Sequence, residues 1–338
     1  MEQAERQRDF QRNQRLEALL GELNSVLGKA EQAMPQLPDA LRHPVVLVVG
    51  APRSGTTLMM QWLAASGAFA YPSNLLSRFY GAPYLGARLQ DLLTNPAYNY
   101  RDELGDPDAH AIHYESNLGK TRGLLEPNEF WYFWRRFIPN TDPEWIDANQ
   151  EGLIDGAGLR AGIAHIQAAI DRPFATKGII LQYNLEALRR ILGRVIFVHT
   201  RRDAFFNIQS LLRARMSYYG QLSTWFSVKP REYEWLKERD PVTQVAGQVY
   251  FTQRSIDTEL ASMDERHRLV VDHEEFCRAP KAFYDLLREK LLAWDCEIPA
   301  TYAGPDRFLV HDAVTVEPET ASEIRAAYAS LAVQPLPQ

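Results

Sequence analysis

Residues 45–57 read Val-Val-Leu-Val-Val-Gly-Ala-Pro-Arg-Ser-Gly-Thr-Thr, and no other stretch limits the fold as tightly. Five consecutive apolar residues, four of them β-branched, are too few for a helix and show no alternation. That is the pattern of a strand buried on both faces of a parallel sheet. Pro44 and Gly50 bound the run, and a further apolar stretch continues to about Ser66. The strand is therefore expected to pass through a glycine-framed turn straight into a helix.

The chain beyond this point alternates in the same way. A helix is expected near residues 158–171, a strand at Phe-Ala-Thr-Lys-Gly-Ile-Ile (174–180), a helix at 184–192 and a strand at 194–200. A helix from about Ala204 to Tyr218, a late strand at 268–274 and a helix over 278–294 complete the series. Strand and helix in alternation indicate an α/β fold: three layers, P-loop-like, with a central parallel sheet flanked by helices. Residues 5–34 place Leu16, Leu19, Leu20, Leu23, Val26 and Leu27 at helical spacing, an amphipathic helix expected to pack on the body. Residues 68–150 are aromatic-rich and weakly periodic, an irregular insertion of the length that often carries function. We divide the chain into an N-terminal helical segment (1–40) and a main domain (41–338). There are no internal repeats.

Composition excludes several classes. With 338 residues, 46% hydrophobic and 24% charged, the chain can bury a large core. A net charge of −6 and a pI near 5.8 argue against a general nucleic-acid binder, so any anion site must be local. Cys277 and Cys296 form no metal-ligand spacing and suit a reducing compartment, with packing as their role. The charged N-terminus is unlike a secretory signal and no apolar run spans a bilayer, which reads as a cytoplasmic protein.

The loop invites an anion. A strand feeding a turn and then a helix N-terminus aims several backbone N–H groups and the positive end of the helix dipole at one point. Gly50 and Gly55 permit close approach, and the hydroxyls of Ser54, Thr56 and Thr57 can donate to phosphate oxygens. A nucleotide triphosphatase loop would carry Lys where Thr56 stands. Here the cation is Arg53, three residues earlier, which suits a shorter anion and a site without metal. A P-loop kinase or hydrolase and a non-catalytic nucleotide-binding protein stand as alternatives; the first predicts Mg²⁺ dependence, and Thr56 speaks against it.

Pro52-Arg53-Ser54-Gly55-Thr56-Thr57 resembles the 5′-phosphosulfate loop of sulfotransferases that use 3′-phosphoadenosine 5′-phosphosulfate, in their more divergent bacterial or Golgi-like branch. The resemblance implies that the chain moves a sulfuryl group from that donor to an acceptor hydroxyl, on a small molecule, lipid or glycan, and releases 3′,5′-phosphoadenosine. It further implies that an Arg at a strand end and a Ser eight residues later hold the donor's 3′-phosphate. Arg202 and Ser210 have that spacing, within a basic stretch (Arg189, Arg190, Arg194, Arg201, Arg202, Arg213, Arg215) broken by the single acid Asp203. Lys177 matches a lysine that touches the bridging or sulfuryl oxygens in relatives. His273 stands where the family usually has Tyr and receives no role, and residues 296–338 lack the family's closing segment, so adenine recognition is unassigned.

The base has no precedent to inherit. The insertion offers His110, His113, Glu115, Glu126 and Glu129; Glu126 and Glu129 adjoin the run Trp131 to Trp134, which can exclude water and raise a carboxyl pKa. The candidates are Glu129 and Glu126, then His113. Tyr71, Phe79, Tyr80, Tyr84, Tyr98, Tyr100, Trp131 and Trp134 are candidates for an acceptor surface. Homo-oligomerisation is left open.

Overall fold

The computed structural model describes residues 6–104, 111–142, 144–147, 149–178, 180 and 182–333. Four parallel strands, β1 (Val45–Val49), β2 (Phe174–Lys177), β3 (Val195–Arg201) and β4 (Arg268–Asp272), form a sheet in the order β2-β1-β3-β4. The register pairs Val48 with Lys177, Val49 with His199, and Arg201 with Asp272.

Each residue of β1 is buried, and its side chains divide between two cores with a period of two. Val45, Leu47 and Val49 join Phe174, Phe197 and Phe133 on one face; Val46 and Val48 join Met59, Trp62, Phe276 and Leu287 on the other. Each such side chain contributes about 1.5–3 kcal/mol of burial. The first face is covered by α3 (Pro83–Thr94), α5 (Gly156–Ile170), α6 (Leu185–Leu192) and the four-residue α4 (Trp131–Trp134). The second is covered by α2 (Thr56–Ala65), α10 (His273–Arg278) and α11 (Pro280–Leu292). A third core joins α7 (Ala204–Tyr219), the four-residue α8 (Tyr233–Leu236), α9 (Pro241–Ala261) and α12 (Pro318–Val333).

The N-terminal helix is shorter than its leucine spacing suggests: α1 spans Gln14–Gln32, capped by Asn13, and residues 6–13 run apart from it. It docks on the body through polar groups. Asn24 Nδ2 donates to Arg78 O at 2.9 Å and Asn24 Oδ1 accepts from Gly81 N at 2.6 Å, while Glu31 accepts from Leu85 N and meets His165. Leu20 is buried, but Leu19, Leu23 and Val26 stay exposed. The expected helix over 278–294 is α11, beginning at Pro280, while the expected strand over 268–274 ends at Asp272 and gives way to α10, which stops at Ala279 ahead of the proline. Outside the insertion the sequence reading missed the long helices α9 and α12, whose apolar stripes bury against each other and α7, and the short α8 and α10. No helix among the described residues is long and apolar enough to cross a membrane.

Candidate functional site

All four strands point their C-terminal ends the same way, and each delivers a side chain or loop to one cavity of about 1310 Å³. β1 leads into the glycine-framed loop, β2 ends on Lys177, β3 is followed by Arg202, and β4 by His273. The carboxyl ends of the strands, where β1 sits between neighbours reached in opposite directions, are where open α/β sheets take ligands.

The loop is tightly held. Ser54 N donates to Ala51 O at 3.1 Å, and the fully buried Ser54 hydroxyl lies 3.0 Å from Thr200 Oγ1, tying the turn to β3. Asn207 on α7 donates to Pro52 O. Arg53 adopts a left-handed backbone (φ 70°), an uncommon conformation for a residue with a Cβ and one that costs on the order of 1–3 kcal/mol. Gly55 caps α2 at φ 96°, where a Cβ would lie 2.2 Å from His273 Nδ1. Only glycine lets the imidazole lie against the chain there. Thr56 and Thr57 open α2 and line the cavity, with the first N–H groups of the helix unpaired within it.

Around the loop, three guanidinium groups converge. Burial first, and then the charges of Arg202 and Arg213, hold the Arg53 guanidinium below arginine's ordinary pKa. Its Nε donates to Ser210 Oγ at 3.2 Å. Arg202 Nη1 donates to Arg53 O at 3.2 Å and Nη2 to His311 O at 2.7 Å, while its buried Nε has no hydrogen bond among the described residues, Glu274 lying 3.9 Å away. Like charges packed together with an unsatisfied buried donor are the arrangement of a site that receives an anion. The other cations of the basic stretch are engaged elsewhere: Arg189 on Glu186, Arg190 on Glu151, Arg194 on Trp294 O, Arg201 on Asp257 and Arg215 on Gln244.

A second cluster stands beside Thr57. Lys177 Nζ lies 2.7 Å from Glu129 Oε1 and 3.4 Å from Thr57 Oγ1, and Trp131 Nε1 donates to Glu129 Oε2 at 2.5 Å. Both carboxylate oxygens are thus held. Burial pushes the Glu129 pKa up, but the charge and hydrogen bond of Lys177, the Trp131 indole and the charge of Lys120 outweigh it, leaving it below the ordinary carboxylate value. Phe130, between Glu129 and Trp131, is left-handed (φ 57°), and the turn Asn117–Lys120 brings Gly119 over the cluster.

The other expected residues lie differently. Glu126 is buried, accepting from Gln61 Nε2 at 2.9 Å and His113 N at 2.8 Å, and neither Glu126 nor His113 lines the cavity. Glu115 is exposed and does not line it, and His110, Ile179 and Leu181 fall outside the described residues. Of the eight aromatics proposed for an acceptor surface, Trp131 lines the cavity; Tyr132, Tyr218, Tyr219 and Phe226 do so unexpectedly. The sequence reading also missed the segment 308–315, which closes the Arg202 side. Phe308 N donates to Cys277 O at 2.7 Å, Gln209 Nε2 to Ala313 O at 3.0 Å, Thr315 N to Gln209 Oε1 at 2.7 Å and Arg213 Nη2 to Thr315 Oγ1 at 2.5 Å. It carries neither glycine nor a basic motif; the only signal available was that α7 presents Gln209 and Arg213 on the side of Arg202.

Among the described residues no group of His, Cys, Asp and Glu is arranged to hold a metal ion. In fold the chain is similar to sulfotransferase STF9 from Mycobacterium avium (14% identity, TM-score 0.52, 96% of this chain and 78% of that one). It is also similar to sulfotransferase STF1 from Mycobacterium tuberculosis H37Rv (12% identity, TM-score 0.51, 92% and 83%). A search of curated proteins gave no match. The model of the Sulfotransferase family matches residues 44–291, from the residue before β1 to the last turn of α11, and the chain belongs to that family.

Proposed function

We propose that the sulfuryl donor is 3′-phosphoadenosine 5′-phosphosulfate and that the acceptor group is a hydroxyl. The observation that carries the donor assignment is the convergence of Arg53, Arg202 and Arg213 beside the N-terminus of α2, in a loop with no lysine at the Thr56 position. Two separated anionic groups on one nucleotide match it: a 5′-phosphate at the loop N–H groups, Arg53, Thr56 and Thr57, and a 3′-phosphate at Arg202 and Ser210. Ser54, buried against Thr200, shapes the loop, and Pro52 and Gly55 line the cavity beside the proposed 5′-phosphate position. Tyr114 and Phe308, packed on each other with ring centres 5.0 Å apart, form an aromatic patch of the cavity wall suited to one face of the adenine.

In this reading Glu129 is the base and Lys177 the second cation. Lys177 leaves Glu129 for the donor's bridging and sulfuryl oxygens, and Glu129 Oε1 becomes free while Trp131 keeps Oε2. The acceptor hydroxyl gives its proton to Oε1 as its oxygen bonds to sulfur. The bond from sulfur to the phosphate oxygen breaks, and the electron pair leaves on the 5′-phosphate, where Lys177, Arg53 and the loop amides stabilise it. Glu126, fully engaged by Gln61 and the His113 amide, holds the insertion together instead.

Titration calorimetry with 3′,5′-phosphoadenosine, set against ATP plus Mg²⁺, tests the donor assignment; transfer of labelled sulfate from the donor to a panel of hydroxyl acceptors tests the reaction. Heat with the bisphosphate and none with ATP is expected. The reverse result removes the assignment.

A further inference from the structure

The cavity continues past the reacting groups to an end built by the first described residues. Helix α7 connects the two regions: Ser210 touches Arg53, and Tyr218, eight residues on, lies about 12 Å farther along the axis at about 1.5 Å per residue. There the segment 6–13 docks. Gln7 N donates to Tyr218 O at 3.0 Å, the Phe10 ring lies 4.4 Å from that of Tyr218, and the Arg6 guanidinium sits 5.6 Å from the same ring centre. Arg6, Arg12, Tyr132 and Tyr219 line this end of the cavity.

Its charges are unbalanced. Seven cationic side chains and three carboxylates line the whole cavity among the described residues, in a chain whose net charge is −6. Arg53, Arg202 and Lys177 serve the donor end. Arg6 and Arg12 have no carboxylate and no side-chain hydrogen-bond partner among the described residues. The acids nearby are occupied: Glu17 accepts from the Tyr132 hydroxyl, and Glu144 accepts from Lys229 N at 2.9 Å with its pKa pushed up by burial. A guanidinium stays charged at any physiological pH and matches a carboxylate or sulfate bidentately. Flat rings beside it suit the face of a ring-bearing molecule.

We propose that the acceptor is a hydroxylated ring compound that already carries a carboxylate or sulfate, and that Arg6 and Arg12 hold that anionic group. The proposal rests on the reading of the opposite end as the donor site. Lys120 and Arg135, the remaining cations of the wall, stand between the two ends: Lys120 acts on Glu129, and Arg135 donates to Pro139 O and faces Glu144.

Matched acceptors test it: 4-methylphenol against 4-hydroxybenzoate, and methyl glucoside against methyl glucuronide, each with wild type and an Arg6→Ala/Arg12→Ala double variant. The charged member of at least one pair is expected to have the higher kcat/KM, by about 5- to 20-fold, and raised salt is expected to shrink the difference. The phenol and glucoside arms distinguish an aromatic from a sugar scaffold. The double variant is expected to lose the preference through KM for the charged member alone, with Arg6→Lys/Arg12→Lys recovering part of it. If none of the four turns over, binding to the nucleotide-loaded protein, measured by ligand-observed NMR, gives the same comparison. Equal use or equal binding within both pairs, or a double variant that weakens charged and neutral members alike, overturns the proposal. Affinity for 3′,5′-phosphoadenosine is the separate readout: its absence in wild type removes the donor reading, whereas its persistence with no charge preference removes only the acceptor class.

Discussion

Glu129 has both oxygens occupied, and its expected behaviour follows from who occupies them. Glu129→Gln keeps the shape but accepts no proton, so kcat should fall by about 10²–10⁴ while affinity for 3′,5′-phosphoadenosine changes little; single-turnover transfer and calorimetry measure the two. The pH dependence has a definite sign. Lys177 and Trp131 favour the ionised form, so Glu129 is ionised at neutral pH and transfer slows as pH falls through its pKa. On the proposed mechanism, donor binding draws the Lys177 ammonium away and so raises that pKa. The acid limb of kcat at saturating donor should therefore lie above the Glu129 titration of the free protein, read by carbon NMR, and Trp131→Phe should move it higher still. Coincident values in both forms would count against Lys177 moving. Arg202→Ala removes a charged partner and should weaken nucleotide binding by about 1.5–3 kcal/mol; an unchanged calorimetric isotherm would take the 3′-phosphate away from Arg202.

At the scale of elements, the loop works because its neighbours forbid alternatives. Gly55→Ala places a methyl on the His273 ring in a backbone conformation that alanine avoids. Nucleotide affinity should drop at least about tenfold, a charged hydrogen bond or more, with His273→Ala in the same chain recovering part of it. Additive losses in that double-mutant cycle would mean that the ring and the glycine are not coupled. These elements also mark how far sequence reasoning reached. β1, the loop and the Arg202 end of β3 were legible because each is local: a run of valines, a glycine spacing, an arginine eight residues from a serine. The pairing of Lys177 with Glu129 was not, because 48 residues and an irregular insertion separate them, and only the fold brings them to 2.7 Å. Both were named singly, as a candidate cation and a candidate base. His273 was set aside for departing from an expected tyrosine, although the feature that explains it, Gly55, was in view. The aromatic lining of the cavity was misjudged for a related reason. Burial sorts Phe130, Phe133 and Trp134 into the core and leaves Trp131 and Tyr132 at the cavity, a distinction that five adjacent aromatics do not reveal without a helix phase.

For the whole molecule, stability is concentrated in the sheet that positions the site. Leu47 is fully buried on the first core face, beside Phe197 of β3, so Leu47→Ala should cost about 2–5 kcal/mol in urea unfolding. Acid adds a second dependence. Burial and the charge of Arg202 hold His273 down to about 4, so it stays neutral in the fold where the unfolded chain, near 6.5, takes up a proton. Unfolded chains then bind more protons than folded ones between those values, and stability is lost as pH falls from about 6.5 towards 4. His273→Asn should flatten that part of the stability curve; an unaltered slope would assign the loss to other groups. The segment 308–315 sets a different kind of limit. Arg202, Gln209, Arg213 and the Cys277 carbonyl fasten it along the wall where the nucleotide is proposed to sit. A spent nucleotide behind such a fastening departs no faster than the fastening opens, so the exit step, rather than the chemistry, is positioned to govern how many cycles per second the molecule completes.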